Sequence, residues 1–260
     1  MGMAKNGFQL LIIVFLGLCG ACKPWGTNMQ IRDYFEPEYV QLIRAIEGNN
    51  EGKARQLVAD GLTLNVHGNE GITPLFWLIM GKNNAAVKMA LELGADPDFR
   101  AGNGRHLVPT LAGGNDDELL ELLLKAGGDP NATDLDGKPS IFRAIGHDRW
   151  AQIKLLLKYG ADPNLTDRSN KNSAHYAAIL NKFDMVAYLI EQGADHRNRN
   201  AAGGDIAWLI HDRLTDELMN PEYPAYEWAL KVKKMLIGRG VEFPPPSPKT
   251  VRERWALENE

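Results

Sequence analysis

The chain has 260 residues, of which 44% are hydrophobic and 24% are charged. These proportions are typical of a soluble folded protein and argue against extensive disorder. The 29 basic and 33 acidic residues give a formal net charge of −4, so composition gives no reason to expect nucleic-acid binding. The two cysteines stand at positions 19 and 22, which excludes a disulfide framework or a cysteine metal site in the rest of the chain.

The amino terminus has the pattern of an export signal. Lys5 precedes an apolar run over residues 10–18, and the small residues Gly20 and Ala21 follow it. A helix that spans a bilayer needs about 20 apolar residues, so the run is too short to cross a membrane. It has the length of a signal-peptide core, and we expect residues 1–21 to be a signal peptide.

Cys22 directly follows those small residues, and the segment resembles a bacterial lipobox. One departure is Cys19, which stands three positions before Cys22, where that family usually has leucine. The resemblance implies acyl chains on Cys22 that anchor the protein to a membrane, facing the periplasm. Lys23 stands where an aspartate would resemble an inner-membrane retention signal, and this favours the outer membrane. An ordinary cleaved signal and an uncleaved anchor are the alternatives.

Glycines recur at a fixed interval through the rest of the chain. The first register has a step of 33 residues and runs through Gly61, Gly94, Gly127, Gly160 and Gly193. The second register has the same step and runs through Gly71, Gly104, Gly137, Asn170 and Gly203. Four residues beyond the first register stand Asn65, Asp98, Asn131, Asn164 and Arg197. Registers that share one step predict an array of equal structural repeats.

Each repeat has the pattern of two helices. The second helix carries an apolar triplet, as at residues 122–124, 155–157 and 188–190, within a wide apolar face. A glycine of the first register follows, where a left-handed residue commonly ends a helix. One helix pair cannot bury this face alone, so we expect neighbouring repeats to stack into a continuous core.

Several of these segments resemble the ankyrin-repeat family. Residues 71–75 read Gly-Ile-Thr-Pro-Leu and match its Gly-x-Thr-Pro-Leu signature. Ala144 and Ala177 occupy its first small helix position, and His175 occupies its histidine position, where a hydrogen-bonded scaffold residue is expected. The resemblance covers roughly residues 38–240. It implies an all-α solenoid of about six helix-turn-helix repeats with hairpin-like loops.

The repeat step predicts the organisation of the chain. We expect a tether at 22–36, the repeat domain at 37–243 and a proline-rich tail at 244–260. The six repeats are expected at 38–66, 67–99, 100–132, 133–165, 166–198 and 199–243. The stop glycine of the sixth repeat is expected at residue 226 but is Gly240, so 14 residues are inserted there. We expect its second helix at 226–237, and one more helix, docked or loose, at 249–260.

Ankyrin proteins usually bind their partners through the hairpin tips and the exposed side of the first helices. Carrying those positions over, we predict partner-binding residues at His67, Asn69, Glu70, Arg100, Asn103, Arg105, Asp136, Lys138, His147, Arg168, Lys171, Arg199, Asp212 and Arg213. Seven of these residues are basic and three are acidic, so we expect a protein partner with an acidic contact surface. The alternative is that these are ordinary solvated loop tips.

Motifs for chemistry are missing from the sequence. The histidines lack the spacing of a zinc-protease helix, and no serine is flanked as in a nucleophile elbow. Residues 48–54 resemble a phosphate loop only superficially, because the segment ends in Ala54 instead of a hydroxyl residue. The acidic run at 116–118 is most simply a helix start. We therefore predict a non-enzymatic protein with no cofactor and no metal site.

The combined resemblance implies a role outside the cytosol. Exported bacterial ankyrin lipoproteins resemble immunity proteins that are encoded beside membrane-attacking lipase effectors of type VI secretion. We therefore expect an immunity or inhibitor protein that binds such a secreted toxic effector. The alternative is an accessory protein that supports a periplasmic enzyme such as a catalase.

Overall fold

The computed structural model of the protein describes residues 30–216 and 218–258. The predicted signal peptide, Cys22 and the first part of the predicted tether lie outside the described residues. Within them the chain forms helices and no β-strand, which confirms the predicted all-α class. None of these helices combines the length and apolar character needed to cross a membrane.

Thirteen α-helices lie in the described residues, and the first twelve form six consecutive pairs. In chain order they are α1 (Pro37–Glu47), α2 (Glu51–Ala59), α3 (Pro74–Met80), α4 (Asn84–Glu92), α5 (Leu107–Ala112), α6 (Asp117–Lys125), α7 (Ser140–Gly146), α8 (Trp150–Lys158), α9 (Ser173–Ile179), α10 (Phe183–Glu191), α11 (Ile206–Thr215), α12 (Pro224–Gly238) and α13 (Pro248–Glu258). Odd-numbered helices up to α11 are the first helices of their repeats, and even-numbered ones are the second helices.

Polar side chains fix where many of these helices begin. The residue before the helix accepts a hydrogen bond from a backbone N–H of the first turn, which would otherwise lack a partner. The residues that cap in this way are Asn50, Thr73, Asn83, Asp116, Asn172 and Asp205. After Thr73, α3 starts with Pro74, whose missing N–H costs nothing in a first turn.

Both glycine registers have a left-handed backbone. In the first register, φ is 93° at Gly94, directly beyond α4. In the second register, φ is 81° at Gly104, in a hairpin tip. Asn170 replaces glycine in the second register and has a φ of 59°, which asparagine adopts more readily than most residues. The recurrence in the sequence therefore marks positions where the backbone conformation favours glycine.

Asparagines four residues beyond the first register connect neighbouring repeats. The amide Nδ2 of Asn164 donates to the carbonyl of Gly193 at 2.9 Å, and its Oδ1 accepts from the N–H of Asp195 at 2.6 Å. Asn65 and Asn131 make the same two bonds to the repeats that follow them. These side chains close the loops after the second helices into a hydrogen-bonded ladder that runs along the array.

The helix pairs bury one continuous apolar core. The largest side chains that are fully buried come from α1, α3, α6, α7, α8 and α10, and they are Leu42, Ile43, Ile46, Leu78, Leu120, Leu123, Phe142, Ile141, Ile145, Ile153, Leu156 and Phe183. Burying one side chain of this size contributes about 1.5–3 kcal/mol relative to leaving it exposed. Stacking of repeats therefore supplies the stability that a single helix pair lacks.

The first repeat is covered by residues that the sequence assigns to the tether. A short 3₁₀ turn at Ile31–Asp33 precedes α1, and the side chains of Ile31 and Phe35 are buried. The ring of Phe35 contacts that of Trp77 edge-on, with 6.2 Å between ring centroids. Asn69, in the first hairpin tip, donates to the carbonyl of Asp33 at 2.8 Å. Residues 31–35 therefore pack on the array and protect its first core layer.

The last helix, α13, docks at the opposite end. Val251 is its buried residue, and a Cβ atom on Gly203 would lie 3.3 Å from the Val251 side chain. Arg252 donates to the carbonyl of Ala202 at 2.6 Å. In the earlier repeats, the glycine equivalent to Gly203 contacts the tip of the next repeat. The helix therefore occupies the place of a seventh hairpin tip.

The third repeat is the least regular. Its first helix, α5, has six residues, and no side chain caps its start at His106. The position that would donate to such a cap is Pro109, which has no N–H, so the lost cap leaves no donor unsatisfied there. The helix ends at Ala112 and is followed by Gly113 and Gly114, two residues with low helix propensity.

Candidate protein-binding face

We define the inner face as the hairpin tips together with the exposed side of the first helices α3, α5, α7, α9 and α11. Each tip in the fourth to sixth repeats is held by one acidic or amide side chain. Asp134 accepts hydrogen bonds from the backbone N–H groups of Asp136 and Lys138, at 2.9 and 3.0 Å. Asp167 and Asn200 make the same pair of bonds one and two repeats further along. The tips therefore have defined backbone conformations before any partner binds.

Neighbouring tips contact each other through glycine. The N–H of Gly102 donates to the carbonyl of Gly71 at 2.8 Å, and a Cβ on Gly71 would lie 2.5 Å from the Cα of Gly102. Asn170 donates from its side chain to the carbonyl of Arg199 at 2.7 Å. The tips form a continuous row, and their spacing fixes the positions of the predicted binding residues relative to one another.

The predicted residues of the first two tips are partly used in these contacts. The Nε2 atom of His67 lies 2.8 Å from the carbonyl oxygen of Arg100, and its ring stacks on Phe99 with 4.8 Å between centroids. Asn103 accepts from the N–H of Arg105. Glu70 is exposed at the tip of its loop. His67 and Asn103 therefore also hold the loops, whatever they contribute to binding.

Five of the seven predicted basic residues fall into two groups. Lys171 lies 3.0 Å from Asp167, and Arg199 lies 3.4 Å from Asp205, so their charges are paired inside the array. Burial alone would raise the pKa of Asp167, but the bonds from Lys171 and nearby N–H groups outweigh it and lower that pKa. A second group forms no ion pair with any carboxylate among the described residues, and it comprises Arg100, Lys138 and Arg168.

Cations from one repeat cap the first helix of the repeat before it. Lys182 donates to the carbonyls of Ile145 and Gly146 at 2.6 and 3.2 Å, at the end of α7. Arg213 donates in the same way to Ala178 and Ile179, at the end of α9. The last carbonyls of a helix lack partners and carry partial negative charge, so these contacts are favourable. Arg213 is half-buried in this contact, and its predicted role in partner binding stays a prediction.

The middle of the inner face contains a residue that the sequence interpretation missed. Arg143 on α7 is half-buried, and four residues later, directly after that helix, stands the predicted residue His147. Burial and the cations Arg143, Arg149 and Lys182 lower the pKa of His147, which outweighs the opposite effect of Asp148. The register of Arg143 runs through Trp77, Thr110, Tyr176 and Leu209, a step of 33 residues that the sequence does contain.

A family model for ankyrin repeats, in three copies, matches residues 110–200. Residues 110–200 are therefore ankyrin repeats. The fold is similar to that of the ankyrin repeat domain of Bcl-3, described as a unique member of the IκB protein family, with a TM-score of 0.59 and 23% identity over 68% of this chain and 82% of that one. It is also similar to EF0377, an ankyrin repeat protein, with a TM-score of 0.57 and 20% identity over 76% of this chain and 96% of that one. No curated protein sequence matches this chain.

The ankyrin histidine has a structural role in this array. His175 is fully buried, and its Nδ1 atom lies 3.3 Å from the carbonyl oxygen of Asn198. Its Nε2 atom lies 3.3 Å from the side-chain amide of Asn200, so a ring protonated on Nδ1 satisfies both neighbours. Burial lowers the pKa of His175 and keeps the ring neutral. The residue therefore connects the fifth repeat to the tip of the sixth.

Ankyrin repeats are in general non-enzymatic scaffolds that bind other proteins, and this chain carries such a protein-interaction module. Among the described residues, no three His, Cys, Asp or Glu side chains are grouped so that they could hold a metal ion. The predicted Asp136 is exposed and Asp212 half-buried, both on the inner face. The fourteen predicted binding residues lie on the tips, on the first helices or directly after one of them, and their contact with a partner stays a prediction.

Proposed function

We propose that the inner face binds an acidic surface of another protein. The observation that carries this proposal is the row of unpaired cations, Arg100, Lys138 and Arg168, on hairpin tips that succeed one another along the array. Such charges cost little to expose, but an acidic partner would be steered towards them and held in register. The proposal concerns binding alone and requires no chemistry from this chain.

The acidic residues on the second helices support this assignment of faces. Glu121 on α6 contacts Lys158 at 2.9 Å, Tyr159 at 3.1 Å and Lys125 at 3.3 Å. Hydrogen bonds from Lys158, Lys125 and Tyr159 lower the pKa of Glu121 to about 2. Glu118 accepts from Asn84 at 2.9 Å. Glu118 and Glu121 are therefore occupied by neighbours, whereas Arg100, Lys138 and Arg168 at the tips form no described ion pair and are left for a partner.

We further propose that the partner is a secreted toxic effector, such as a type VI secretion lipase, and that the chain acts as its immunity protein. Binding would be steric: the array covers the active-site entrance or the membrane-docking surface of the toxin. A lipid anchor on Cys22 would hold the array at the periplasmic side of a membrane, more favourably the outer one. Tethering would raise the effective concentration of the inhibitor where the toxin acts.

The toxin hypothesis is tested by co-expression. A secreted lipase encoded next to this gene would be expressed in the periplasm with and without the full-length chain. We expect killing by the lipase to disappear when the chain is present. Killing that continues despite a stable complex would exclude inhibition. A neighbouring catalase whose activity depends on the chain would instead establish the accessory role.

The contact surface is tested by charge reversal. The double variant Arg100→Glu and Arg168→Glu changes two exposed tip residues that form no described ion pair. We expect binding of the toxin to weaken at least tenfold, with an unchanged melting temperature. Arg199 is left intact because its pair with Asp205 supports the start of α11. Unchanged affinity at physiological salt would show that the inner face is not the contact surface.

The anchor is tested separately by metabolic labelling with a fatty-acid analogue. We expect label on the wild-type chain and none on Cys22→Ala, which should also leave the membrane fraction. A Cys19→Ala variant is the matched control and should keep its label. Label that survives in Cys22→Ala would contradict lipidation at this residue.

A further inference from the structure

At the centre of the inner face, Gly113 follows α5 and Gly146 ends α7, and we call the surface around Arg143, His147 and Tyr176 beside them the niche. A Cβ atom on Gly113 would lie 3.1 Å from Cδ2 of His147 and 3.7 Å from the Cβ of Arg143. A Cβ on Gly146 would lie 3.5 Å from the hydroxyl of Tyr176. The missing Cβ of Gly113 therefore lets the His147 ring pack against the end of α5, whereas the exposed Gly146 leaves the space beside the Tyr176 hydroxyl open to a partner.

Two hydrogen-bond donors of the niche are unused. Neither the guanidinium of Arg143 nor the hydroxyl of Tyr176 makes a hydrogen bond or ion pair with a described residue. Tyr176 is nevertheless held in place, because its ring stacks on the buried ring of Phe142 with 4.6 Å between centroids and 15° between planes. The Arg143 side chain is half-buried, which limits the volume it can search. The Arg143 guanidinium and the Tyr176 hydroxyl are therefore held in place but have no hydrogen-bond partner among the described residues.

The surroundings of the niche are positively charged. Arg149 and Lys182 stand next to His147 as well, and Asp148 is the acid that acts on it. Asp148 lies 2.6 Å from Lys182, which also caps α7, while Arg149 is within 3.4 Å of the carbonyl of Gly113. Both outer cations are therefore used inside the array. Arg143 is the cation of this group that makes neither a hydrogen bond nor an ion pair with a described residue.

We infer that the niche formed by Arg143, His147 and Tyr176 binds a carboxylate side chain of the partner. The inference rests on the proposed function, since it names the group that the inner face recognises at its centre. A guanidinium fork donates two parallel bonds to a carboxylate, and such charge-assisted bonds are among the strongest in proteins. The tyrosine hydroxyl adds a donor, and the exposed Gly146 beside it leaves access for the acidic side chain and its backbone.

The probe for this inference is an octaglutamate peptide, titrated into the full chain and followed by NMR. We expect the largest shift changes at the Nε–H of Arg143 and at the amides of Gly113 and Gly146. In Arg143→Gln the affinity should fall about tenfold, the size expected for one charge-assisted bond. Lys88→Gln on α4 removes the same charge from the opposite side and should leave the affinity unchanged.

A second variant separates lost binding from lost folding. Gly146→Ala adds a methyl group at ordinary contact distance from Tyr176, and alanine favours the helix over glycine. We expect its melting temperature to stay the same or rise while binding of octaglutamate weakens. Equal loss of affinity in Lys88→Gln, or the largest shifts at tip residues Arg100 and Arg168, would overturn the inference. Inorganic phosphate that binds the niche more tightly than the peptide would overturn the choice of a carboxylate.

Binding measurements on two variants distinguish a failure of the niche from a failure of the whole inner face. With the toxin itself as the ligand, Arg143→Gln should weaken binding as the tip double variant does. If the tip variant weakens binding and Arg143→Gln does not, the niche is excluded and the inner face stands. If neither variant changes the affinity, the inner face is excluded altogether.

Discussion

Single side chains that hydrogen-bond to the next repeat fix how neighbouring repeats are placed in the array. The ladder position is Asn65, Asn131 and Asn164 in three repeats, but Asp98 in the second repeat. Asp98 accepts from the N–H of Asp129 at 3.0 Å and has no N–H with which to reach the carbonyl of the next glycine. One carbonyl of this ladder is therefore without the amide donor that its equivalents have.

Exchanging these side chains should change stability in opposite directions. Asn164→Asp removes the 2.9 Å bond to Gly193 and should lower the free energy of unfolding by about 1 kcal/mol. Asp98→Asn supplies the absent donor and should raise it by a few tenths up to about 1 kcal/mol. Urea denaturation of both variants measures the effect. Stabilisation by Asn164→Asp would contradict the role assigned to the ladder.

The buried histidine gives the array a pH dependence. Burial lowers the pKa of His175 in the folded state, so below the unfolded value of about 6.5 the unfolded chain binds more protons than the native chain. The free energy of unfolding should therefore fall as the pH is lowered from 7 to 5. Burial lowers the pKa of His106, His147 and His196 too, with the same sign.

His175→Gln should separate this residue from the others. We expect the variant to be less stable than the wild type at pH 7 but to lose less stability between pH 7 and 5. Urea denaturation at each pH measures the difference, and NMR titration of the ring reports its protonation directly. An equal loss in both proteins would mean that His175 does not contribute.

At the scale of helices, cationic side chains of one repeat bind the last carbonyls of the first helix in the preceding repeat, and these contacts join the repeats. Lys182 caps α7 and Arg213 caps α9, and both cations belong to the following repeat. Lys182→Met keeps the apolar stem but removes the donors, so the free energy of unfolding should fall by about 0.5–2 kcal/mol. Lys88→Met, on the exposed side of α4, is the control and should change it by less than about 0.5 kcal/mol.

The outcome that would contradict the capping role is equal stability of the Lys182 and Lys88 variants. Differential scanning calorimetry at two salt concentrations also separates the capping bonds of Lys182 from its ion pair with Asp148. Screening by salt should weaken the pair with the exposed carboxylate of Asp148, whereas the hydrogen bonds from Lys182 to the last carbonyls of α7 should persist.

The helices themselves were largely predictable, because the residues that start and end them are signals in the local sequence. The glycines of the first register fix where second helices end, and Thr73-Pro74 fixes where α3 begins. Two deviations have physical reasons. The second helix of the sixth repeat starts at Pro224 instead of residue 226, since proline suits a first helical turn. The start of the fold before residue 37 was not predicted, because burial of Ile31 depends on contacts distant in sequence.

The candidate site was less predictable than the fold. Family positions place the tip residues, and those positions are set by loop length, which the glycine step reveals. Arg143 was missed because it lies outside the family positions that were carried over, although its 33-residue register with Trp77 and Tyr176 was available. Arg213 was assigned to the binding face, but pairing with carbonyls of another repeat is a tertiary contact that no local pattern indicates.

At the scale of the whole molecule, both ends of the stack are covered. Residues 31–35 cover the first repeat, and α13 covers the last hairpin tip through Val251. Solenoids need such end caps because a terminal repeat otherwise exposes the face that a neighbour would bury. The tail that the sequence left undecided, docked or loose, is docked.

Introducing a charge into the second cap should release it. Val251→Asp buries an unpaired carboxylate, so α13 should detach and the free energy of unfolding should fall by about 2–4 kcal/mol. Hydrogen exchange should then rise in residues 248–258 and around Gly203, while the first three repeats stay protected. Leu257→Asp, at a 73% exposed residue of the same helix, is the matched control. Uniform loss of protection along the whole array would contradict a cap that acts locally.

A protein partner should bind the inner face and not the side formed by the second helices. Hydrogen exchange of the full chain with and without the bound toxin tests it most directly. We predict protection in the tips at 100–106, 133–139 and 166–172 and at the ends of α7 and α9. Protection confined to α4, α6, α8 and α10, with unchanged exchange in the tips, would contradict it.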